Sequence, residues 1–581
     1  MQKSILLAGF MLVSMCLSSQ SNMLSTNAMA EAVMLGNYDP VDFMPTTVVT
    51  DPNVIIQAIQ DGISTDSLHS YLLTLSTFEN RNTGSDTISP TFGIGAARRW
   101  VHQRFAEIGQ ENEGRLIPSY LQFDRDICGM SQHRNIFAVL PGINAETPGI
   151  ILIEAHIDSR CEDNCDGDCE AHGMEDNGSG TALVIELARV MSQMAFDRTI
   201  VFMATIGEEQ GLYGADAFAK YAVQKNIQIN AVLNNDVVGG IICGETSSAP
   251  SCPGLNHIDS TQVRFFSAGS NNSPHKQLAR FIKLEYQEEL LPTAAVPMSI
   301  TIMSAEDRSG RGGDHIPFRQ QGFAAMRFCS ANEHGNANVN DPDYHDRQHT
   351  TADVLGVDTD GDNVIDSFFV DFNYLKRNST INGMAAALAA IGPFTPEFSV
   401  SYFGENITVQ IEDPYDYGEY RVMVRHLSND FDTILTTNDK SLTFQYESFH
   451  PLLTYVSVAS VDENGIESLF TGEVRPPEIN AVGEVQAEVP AKNIELLQNR
   501  PNPFDEATWI GFFVHEKQNY QEAFVSISDL NGREISRIPV TLQVGSNEIL
   551  YRHGYNHVGV YAYSLVVDGM VMDTKRMVFA N

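Results

Sequence analysis

Three short motifs in the first half of the chain carry side chains that bind metal ions or move protons. His156 and Asp158 lie in EAHIDS, Asp176 lies in EDNGSG, and Glu208 and Glu209 are adjacent in GEEQG. On an extended backbone His156 and Asp158 point to the same side, so the Asp158 carboxylate can accept a hydrogen bond from the imidazole and orient it. Two adjacent carboxylates at a buried strand end would repel each other unless a cation or a proton lies between them.

Two later motifs extend this set. Asp236 ends the triplet NND, and His349 begins the segment HTTAD. Together the five motifs offer two imidazoles and several carboxylates, which is a mixed nitrogen and oxygen set that suits zinc. One carboxylate beyond the ligands would be available as a general base.

These motifs follow segments that have the pattern of buried strands. Short apolar and β-branched runs cover residues 135–140, 149–157, 199–205 and 231–238, and helical spacing covers 180–194 and 214–224. Such alternation predicts an α/β fold in which helices sandwich a central, mostly parallel mixed sheet. Ligand chemistry is expected at the carboxyl ends of the strands, where the motifs lie.

The order HxDS, DNGSG, GEEQGxxG, NND and HTxxD resembles the co-catalytic di-zinc aminopeptidase family, which includes secreted bacterial leucyl aminopeptidases. The resemblance covers residues 54–392. The step of twenty residues from His156 to Asp176, and of twenty-seven from Glu209 to Asp236, also fits that family. The resemblance implies the zinc exopeptidase fold and two zinc ions in the catalytic domain.

The resemblance also implies a role for each motif residue. One zinc ion is completed by His156 and Asp236, the other by Glu209 and His349, and both share the bridging carboxylate Asp176. Glu208 is then the general base, and Asp158 orients His156. The Asp176–Asn177 peptide bond is often cis in this family. The substrates implied are peptides with a free N-terminus, because an α-amino group can bind one metal ion or the nearby carboxylates.

Two other functions stay open on the same fold. One is a glutaminyl cyclase-like zinc enzyme, against which the full set of five ligand candidates argues. The other is a catalytically inactive surface adhesion protein, against which the intact Glu208 argues. A serine hydrolase and a thermolysin-type peptidase are disfavoured, because the sequence contains neither GxSxG nor HExxH.

Composition and the N-terminal residues bear on location. The chain has 581 residues and a formal net charge of −38, which excludes nucleic-acid binding through bulk charge. Lys3, the apolar run 5–17 and the small-residue site Ala28-Met29-Ala30 predict a signal peptide over 1–30. We therefore expect an exported protein with no membrane span after the signal is removed.

Changes of pattern along the chain predict further modules. An N-terminal segment, 31–53, precedes the catalytic domain at 54–393. An all-β sandwich at 394–475 resembles a fibronectin type III module, a proline-containing linker follows at 476–493, and a second all-β sandwich covers 494–581. The last, with LLQNRPNPFDEATWIGFFV and GVYAYSLVVDG, resembles the C-terminal sorting domain of type IX secretion cargo. That resemblance implies the type IX secretion machinery as a partner, export across the outer membrane, and removal of the domain or attachment to the cell surface.

Cysteines and acidic loops raise separate questions. After signal removal seven cysteines remain, so at least one thiol is unpaired, and Cys243 with Cys252 is a candidate disulfide. The three cysteines of CEDNCDGDCE, 161–170, favour a disulfide-pinned loop, with a soft-metal site as the alternative. The carboxylates Asp358, Asp360, Asp362 and Asp366 alternate as in a calcium loop, but the usual sixth-position Gly and distal Glu are missing, so a solvated acidic loop is also open. No oxyanion donor is recognisable in RSGRGGDH, 308–315, where His315 is expected to be structural or to support a ligand.

Overall fold

A computed structural model places most of the chain. It describes residues 21–144, 146–243, 255–269, 273–307, 312–333, 339, 344, 346–362, 364–426, 428–449, 453–479, 494–504, 507–515, 517, 520–528, 534–553, 559–568 and 570–580. The α-helices are α1 (Ala28–Met34), α2 (Pro52–Gly62), α3 (Thr65–Ser76), α4 (Gly93–Glu111), α5 (Ser179–Met191), α6 (Tyr213–Lys225), α7 (Pro274–Glu285), α8 (His315–Gln320) and α9 (Phe372–Ile391).

Strands make up the rest of the regular structure. The first part of the chain contains β1 (Ser21–Ser25), β2 (Ile117–Ile127), β3 (Met130–Leu140), β4 (Ile150–His156), β5 (Thr199–Thr205), β6 (Ile229–Asn235), β7 (Gln262–Phe266), β8 (Ser299–Ile302), β9 (Ala325–Ser330), β10 (Gly356–Val357) and β11 (Ser367–Phe368). The remainder contains β12 (Glu397–Phe403), β13 (Asn406–Glu412), β14 (Glu419–Arg425), β15 (Thr433–Thr437), β16 (Ser441–Gln445), β17 (Tyr455–Val461), β18 (Ile494–Leu496), β19 (Ala507–Val514), β20 (Ala523–Ser528), β21 (Glu534–Pro539), β22 (Gly545–Arg552), β23 (Gly559–Val567) and β24 (Met570–Phe579).

Within the described residues, nine strands form one mixed sheet in the order β1-β2-β3-β5-β4-β6-β9-β7-β8. Its centre, β5-β4-β6-β9, is parallel, and antiparallel pairs lie on either side. Every residue of β4 and β5 is buried, which explains their continuous apolar sequences. Because β5, β4, β6 and β9 run in the same direction, the segments that follow them meet at one edge of the sheet.

The N-terminal boundary differs from the sequence prediction. We expected residues 1–30 to be removed and the catalytic domain to begin at residue 54. Instead, β1 pairs antiparallel with β2, and Ala30, Val33 and Met34 lie in the core of the catalytic domain. The short strand and helix carry no signal in local apolar periodicity, since their burial comes from pairing with residues about a hundred positions away. The catalytic domain therefore includes residues from Ser21 onward, and the apolar run 5–17 lies outside the described residues.

Two all-β modules follow the catalytic domain. In the first, the sheets β12-β13-β16 and β15-β14-β17 share a core that includes Ile407, Val409 and Val422. In the second, β18-β19-β22 and β21-β20-β23-β24 share another core. Both modules contact the catalytic domain, the first through a buried pair between Arg280 and Glu473 at 3.3 Å. The sheets agree with the prediction that both modules are all-β. Most of the predicted linker, 480–493, lies outside the described residues.

Disulfides stabilise the loop that follows β4. Cys128 is bonded to Cys165 and Cys161 to Cys169. This confirms the disulfide-pinned loop. The alternative of a soft-metal site is wrong, because all three of its cysteine sulfurs are in disulfides. Cys243 is also disulfide-bonded, but its candidate partner Cys252 lies outside the described residues, so that pairing stays a prediction. Across the described part of the chain, no helix has both the length and the apolarity needed to cross a bilayer.

Candidate metal centre

The predicted ligands meet at the carboxyl edge of the parallel strands. His156 is the last residue of β4, Asp236 directly follows β6, and Glu208 and Glu209 follow β5 after a two-residue step. Asp176 lies just before α5. His156 and Asp236 are 1% and 3% exposed, so their polar groups are withdrawn from water and need partners or a cation.

One group of three side chains surrounds His156 Nε2. Asp176 Oδ1 lies 3.1 Å from this nitrogen and Asp236 Oδ1 lies 3.4 Å from it. The second group surrounds His349 Nε2, with Asp176 Oδ2 at 3.0 Å and Glu209 Oε2 at 3.3 Å. Asp176 therefore offers one carboxylate oxygen to each group. We call the groups the first pocket (His156, Asp176, Asp236) and the second pocket (Asp176, Glu209, His349).

The donor atoms of both pockets suit zinc. Four ligands around a tetrahedral zinc ion, with bonds of about 2.0–2.2 Å, lie about 3.3–3.6 Å apart. The observed separations of 3.0–3.4 Å are close to this spacing. In addition, Glu209 Oε1 is buried and has no hydrogen-bond partner among the described residues. The donor set, its spacing and this unpartnered oxygen all fit a bound metal ion.

The electrostatics of the cluster call for positive charge. Burial raises the pKa of Glu209 well above its usual range, and the nearby Asp176 raises it further. Burial acts against a charge on His156, yet Glu208, Asp158 and Asp176 together raise the pKa of this imidazole well above its usual range. Burial would also raise the pKa of Asp176, but hydrogen bonds from His156 and His349 outweigh it and hold that pKa well below normal. The carboxylates thus draw protons onto the histidines when no other cation is near.

Glu208 belongs to neither pocket, but it forms a third possible metal-binding group with His156 and Glu209, one residue from each pocket. Its Oε2 atom is 4.0 Å from His156 Nε2, and its side chain is 13% exposed. Burial raises the pKa of Glu208 well above its usual range, and Asp236 and Glu209 raise it further. A cavity of about 350 Å³ opens over this region and is lined by Arg160, Gln210, Leu212, Gly312 and Glu333 as well as by the cluster itself.

Similar proteins agree with this chemistry. The model of peptidase family M28 matches residues 135–363. A probable zinc metalloprotease from Leptosphaeria maculans is 32% identical over 343 residues, covering 57% of this chain and 75% of the relative. The chain belongs to peptidase family M28. A second probable zinc metalloprotease, from Pyrenophora tritici-repentis, is 31% identical over 59% of this chain and 78% of its own length. Membership of this family means that the chain is a zinc metallopeptidase.

The solved structures that align with this M28 peptidase are more distant from it. The LapA aminopeptidase of Legionella pneumophila aligns with a TM-score of 0.41 at 18% identity, over 58% of this chain and 74% of that chain. The glutaminyl cyclase of Porphyromonas gingivalis aligns with a TM-score of 0.39 at 16% identity, over 56% and 98% of the two chains. Neither likeness is close enough to assign a reaction.

Asp158 contacts His156 of the M28 peptidase more closely through its main-chain oxygen than through its carboxylate. His156 Nδ1 lies 3.0 Å from the main-chain oxygen of Asp158, whereas the Asp158 carboxylate is 3.6 Å away, too far for a hydrogen bond. That carboxylate instead accepts the main-chain N–H of Glu208 at 3.4 Å and of Glu209 at 3.3 Å. The alternation argument assumes an extended strand through Asp158, whereas β4 ends at His156, and the carbonyl oxygen of Asp158 lies closer to the ring than its carboxylate.

The loop that carries Asp176 is held by several local contacts. Asp353 accepts the main-chain N–H groups of Glu175 and Asp176, both at 3.0 Å. Asn177 donates to the carbonyl of Asn235 at 2.8 Å, and the Asp176–Asn177 peptide bond is cis, as the resemblance implies. These contacts connect the loop that carries the shared carboxylate of Asp176 to the end of β6, and so fix its position relative to Asp236.

Two arginines of the M28 peptidase were not predicted to belong to the site. Arg327 on β9 places Nε 3.1 Å from Asp236 Oδ2, and Arg160 places Nε 3.1 Å from Glu209 Oε2. Each arginine therefore contacts the carboxylate that belongs to one pocket only, whereas Asp176 is shared by both. Nothing local in the sequence distinguishes these arginines from surface arginines, and only the strand that contains Arg327 could have indicated that it is buried.

The remaining predicted sites have different outcomes. Asp358, Asp360 and Asp366 bring carboxylate oxygens within 4.8 Å of one another, but Asp362 is not in this group. Main-chain N–H groups already donate to Asp358, Asp360 and Asp362, as in a solvated loop. Calcium binding stays a prediction.

His315 begins α8, is fully buried, and belongs to neither pocket, and burial lowers its pKa to about 3. Residues 308–311, where an oxyanion donor was sought, lie outside the described residues.

Proposed function

We propose that this M28 peptidase is a di-zinc aminopeptidase that removes N-terminal amino acids from peptides. The observation that supports it most directly is the sharing of Asp176 between two complete ligand groups, with Glu208 left over as a base. A decayed site would be expected to lack one of these six side chains, so the inactive-fold alternative has no support in the cluster. A one-zinc cyclase would have no use for the second pocket.

Each side chain then has a defined task. His156, Asp176 and Asp236 would hold one zinc ion, and Asp176, Glu209 and His349 the other. Zinc, when bound, polarises the scissile carbonyl and lowers the pKa of water, so that hydroxide is available near neutral pH. Glu208 Oε2 accepts the proton of the attacking water and returns it to the nitrogen of the departing peptide. Asp158 positions Glu208 and Glu209 by holding their main-chain N–H groups.

The same cavity has room for the N-terminal amine of a substrate beside the metal pockets. Its lining contains five carboxylates, from Asp176, Glu208, Glu209, Asp236 and Glu333, and the two arginines Arg160 and Arg327. Bound zinc would neutralise the charge of Asp176, Glu209 and Asp236, so the charge of the lining does not by itself select an α-ammonium group. Recognition of a free N-terminus, through one metal ion or the carboxylates near it, is what the resemblance of the motifs implies. The leucyl type of side-chain preference comes only from the resemblance of the motifs.

The test uses the purified full chain and a peptide panel with free or acetylated N-termini, assayed with and without a chelator. We expect amino-acid release only from free N-termini, lost on chelation and restored by zinc. Cleavage of acetylated peptides at internal bonds would contradict an aminopeptidase. Ammonia release from an N-terminal Gln peptide, without amino-acid release, would favour the cyclase instead.

We further propose that the protein is exported. The N-terminal sequence and the type IX sorting resemblance of residues 494–581 motivate this proposal, and disulfides such as Cys128–Cys165 and Cys161–Cys169 are typical of an oxidising compartment. Because β1 belongs to the sheet, signal cleavage is expected before Ser21 rather than after Ala30. Mass spectrometry of the N-terminus of protein recovered from the culture medium or the cell surface would decide it. Recovery in the cytoplasm alone would contradict export.

A further inference from the structure

The two metal pockets differ in how their histidines are prepared for a metal ion. In the first pocket, the main-chain oxygen of Asp158 lies 3.0 Å from His156 Nδ1. A carbonyl only accepts hydrogen bonds, so Nδ1 carries a proton whether or not a metal ion occupies the pocket. Nε2, which faces the carboxylates of Asp176 and Asp236, can therefore release its own proton and bind a metal ion while the Nδ1 contact is kept, which is the usual arrangement of a metal-binding histidine. The Nδ1 contact of the first pocket is compatible with a metal ion.

In the second pocket the contact has the opposite sense. Arg160 Nη2 lies 2.7 Å from His349 Nδ1. A guanidinium only donates hydrogen bonds, so Nδ1 must accept, and in the neutral imidazole the proton lies on Nε2. That proton faces Asp176 Oδ2 at 3.0 Å and Glu209 Oε2 at 3.3 Å. While Arg160 keeps this contact, Nε2 has no lone pair to offer a metal ion.

Arg160 also occupies the other terminal ligand of the second pocket. Its Nε atom lies 3.1 Å from Glu209 Oε2, the oxygen that faces His349. A bound divalent ion would compete with this guanidinium for the same carboxylate oxygen. One side chain thus restrains two of the three ligands, and the third ligand, Asp176, is shared with the first pocket.

The arginine of the first pocket is fixed in a way that Arg160 is not. Arg327 is 2% exposed, and it contacts Asp307 at 2.6 Å and Glu333 at 2.7 Å in addition to Asp236. Its positive charge compensates three buried carboxylates, and all three of these ion pairs would be lost if the side chain moved away. Arg160 is 12% exposed, and within the described part of the chain its only carboxylate partner is Glu209. Its third contact is the neutral Asn164, at 2.6 Å, which could retain the guanidinium after release.

We propose that Arg160 gates the second metal pocket: the second zinc ion binds only when this guanidinium releases Glu209 and His349. The first ion enters a pocket whose histidine contact already suits binding, and the second ion must displace the guanidinium that contacts both Glu209 and His349. The disulfide that begins at Cys161 fixes the backbone beside Arg160, so release is a motion of the side chain. This inference rests on the two-zinc site of the proposed function.

Calorimetric titration of zinc into the chelator-treated full chain tests the gate without measuring activity. The wild type is expected to bind one ion tightly and a second more weakly. Arg160→Gln should strengthen the second event about tenfold or more, because breaking one charge-assisted hydrogen bond corresponds to roughly ten- to a hundredfold in an equilibrium constant. The first event should not change. Arg160→Lys keeps a donor-only cation at this position, so its second affinity should stay closer to the wild type than to Arg160→Gln.

Arg104→Gln is the matched control, since it removes an arginine that pairs with Glu107 on the surface of α4, away from the site. It should leave both binding events unchanged. An equal or weaker second affinity in Arg160→Gln would overturn the gate and make Arg160 a support for the ligands. Saturation of both the wild type and Arg160→Gln by a single ion would instead refute the two-zinc site on which the gate depends.

Discussion

Replacement of Glu208 by Gln separates catalysis from metal binding at this site. Gln has the shape of Glu, so it fills the same space beside His156 without disturbing the packing. The main-chain N–H of Glu208 stays bonded to Asp158 in the variant, because this contact does not involve the side chain that is changed. What the variant loses is a carboxylate that can accept a proton.

The expected loss follows from the position of this carboxylate. Glu208 Oε2 lies 4.0 Å from His156 Nε2, and the two complete ligand groups that share Asp176 do not include it. Zinc content should therefore stay at the wild-type value. Removal of a general base lowers kcat by about a hundredfold to ten-thousandfold, which corresponds to roughly 2.7–5.4 kcal/mol in the activation free energy. KM should change much less, because proton transfer contributes to the transition state rather than to substrate binding.

The assay measures kcat and KM on a peptide with a free N-terminus, and zinc by mass spectrometry on the same preparation. Glu209→Gln is the contrasting variant, because it removes a ligand oxygen and should lose zinc from the second pocket. A kcat within tenfold of the wild type, with zinc intact, would remove Glu208 from the role of base. Loss of zinc from Glu208→Gln would show that this residue is a ligand.

Three further changes have definite expected outcomes. Asp176→Ala should lower zinc content as well as activity, and an unchanged metal stoichiometry would exclude a bridging role. Arg327→Met should lower the free energy of unfolding of the chelator-treated protein by about 3–5 kcal/mol, since it removes the guanidinium that pairs with three buried carboxylates; a change below about 1 kcal/mol in denaturant unfolding would contradict this. The pKa of Glu285 is raised from 4.5 to about 8 by burial and by Glu289 and Glu288. The folded chain therefore keeps this proton between pH 4.5 and 8 while the unfolded chain loses it, so stability falls as pH rises through that window. Glu285→Gln should remove this fall, gaining at most about 5 kcal/mol above pH 8 and nothing below pH 4.5, as unfolding midpoints across that range would show.

The ligand positions of the site could be predicted from sequence because each depends on local pattern. His156, Glu208 and Asp236 come at the ends of apolar, β-branched runs, and such runs form buried parallel strands. The carboxyl ends of parallel neighbours meet at one sheet edge, so side chains far apart in sequence could be expected to converge. Asp176 and His349 do not end strands, and they were recognisable only from the resemblance of the whole series of motifs.

Contacts that depend on distant partners could not be predicted in this way. Arg160 reaches Glu209 and His349 across 49 and 189 residues, and no spacing rule connects them. The pairing of β1 with β2 depends likewise on a remote strand, and for this reason no local pattern indicated that residues from Ser21 onward pack against the catalytic domain. The sequence alone determined which segments become strands and which metal ligands follow them, because strand formation and burial depend on local apolar pattern. The tertiary structure alone decided which charges compensate the ligands and which nitrogen of each histidine faces the metal pocket, because those choices depend on side chains that only folding brings within hydrogen-bond distance.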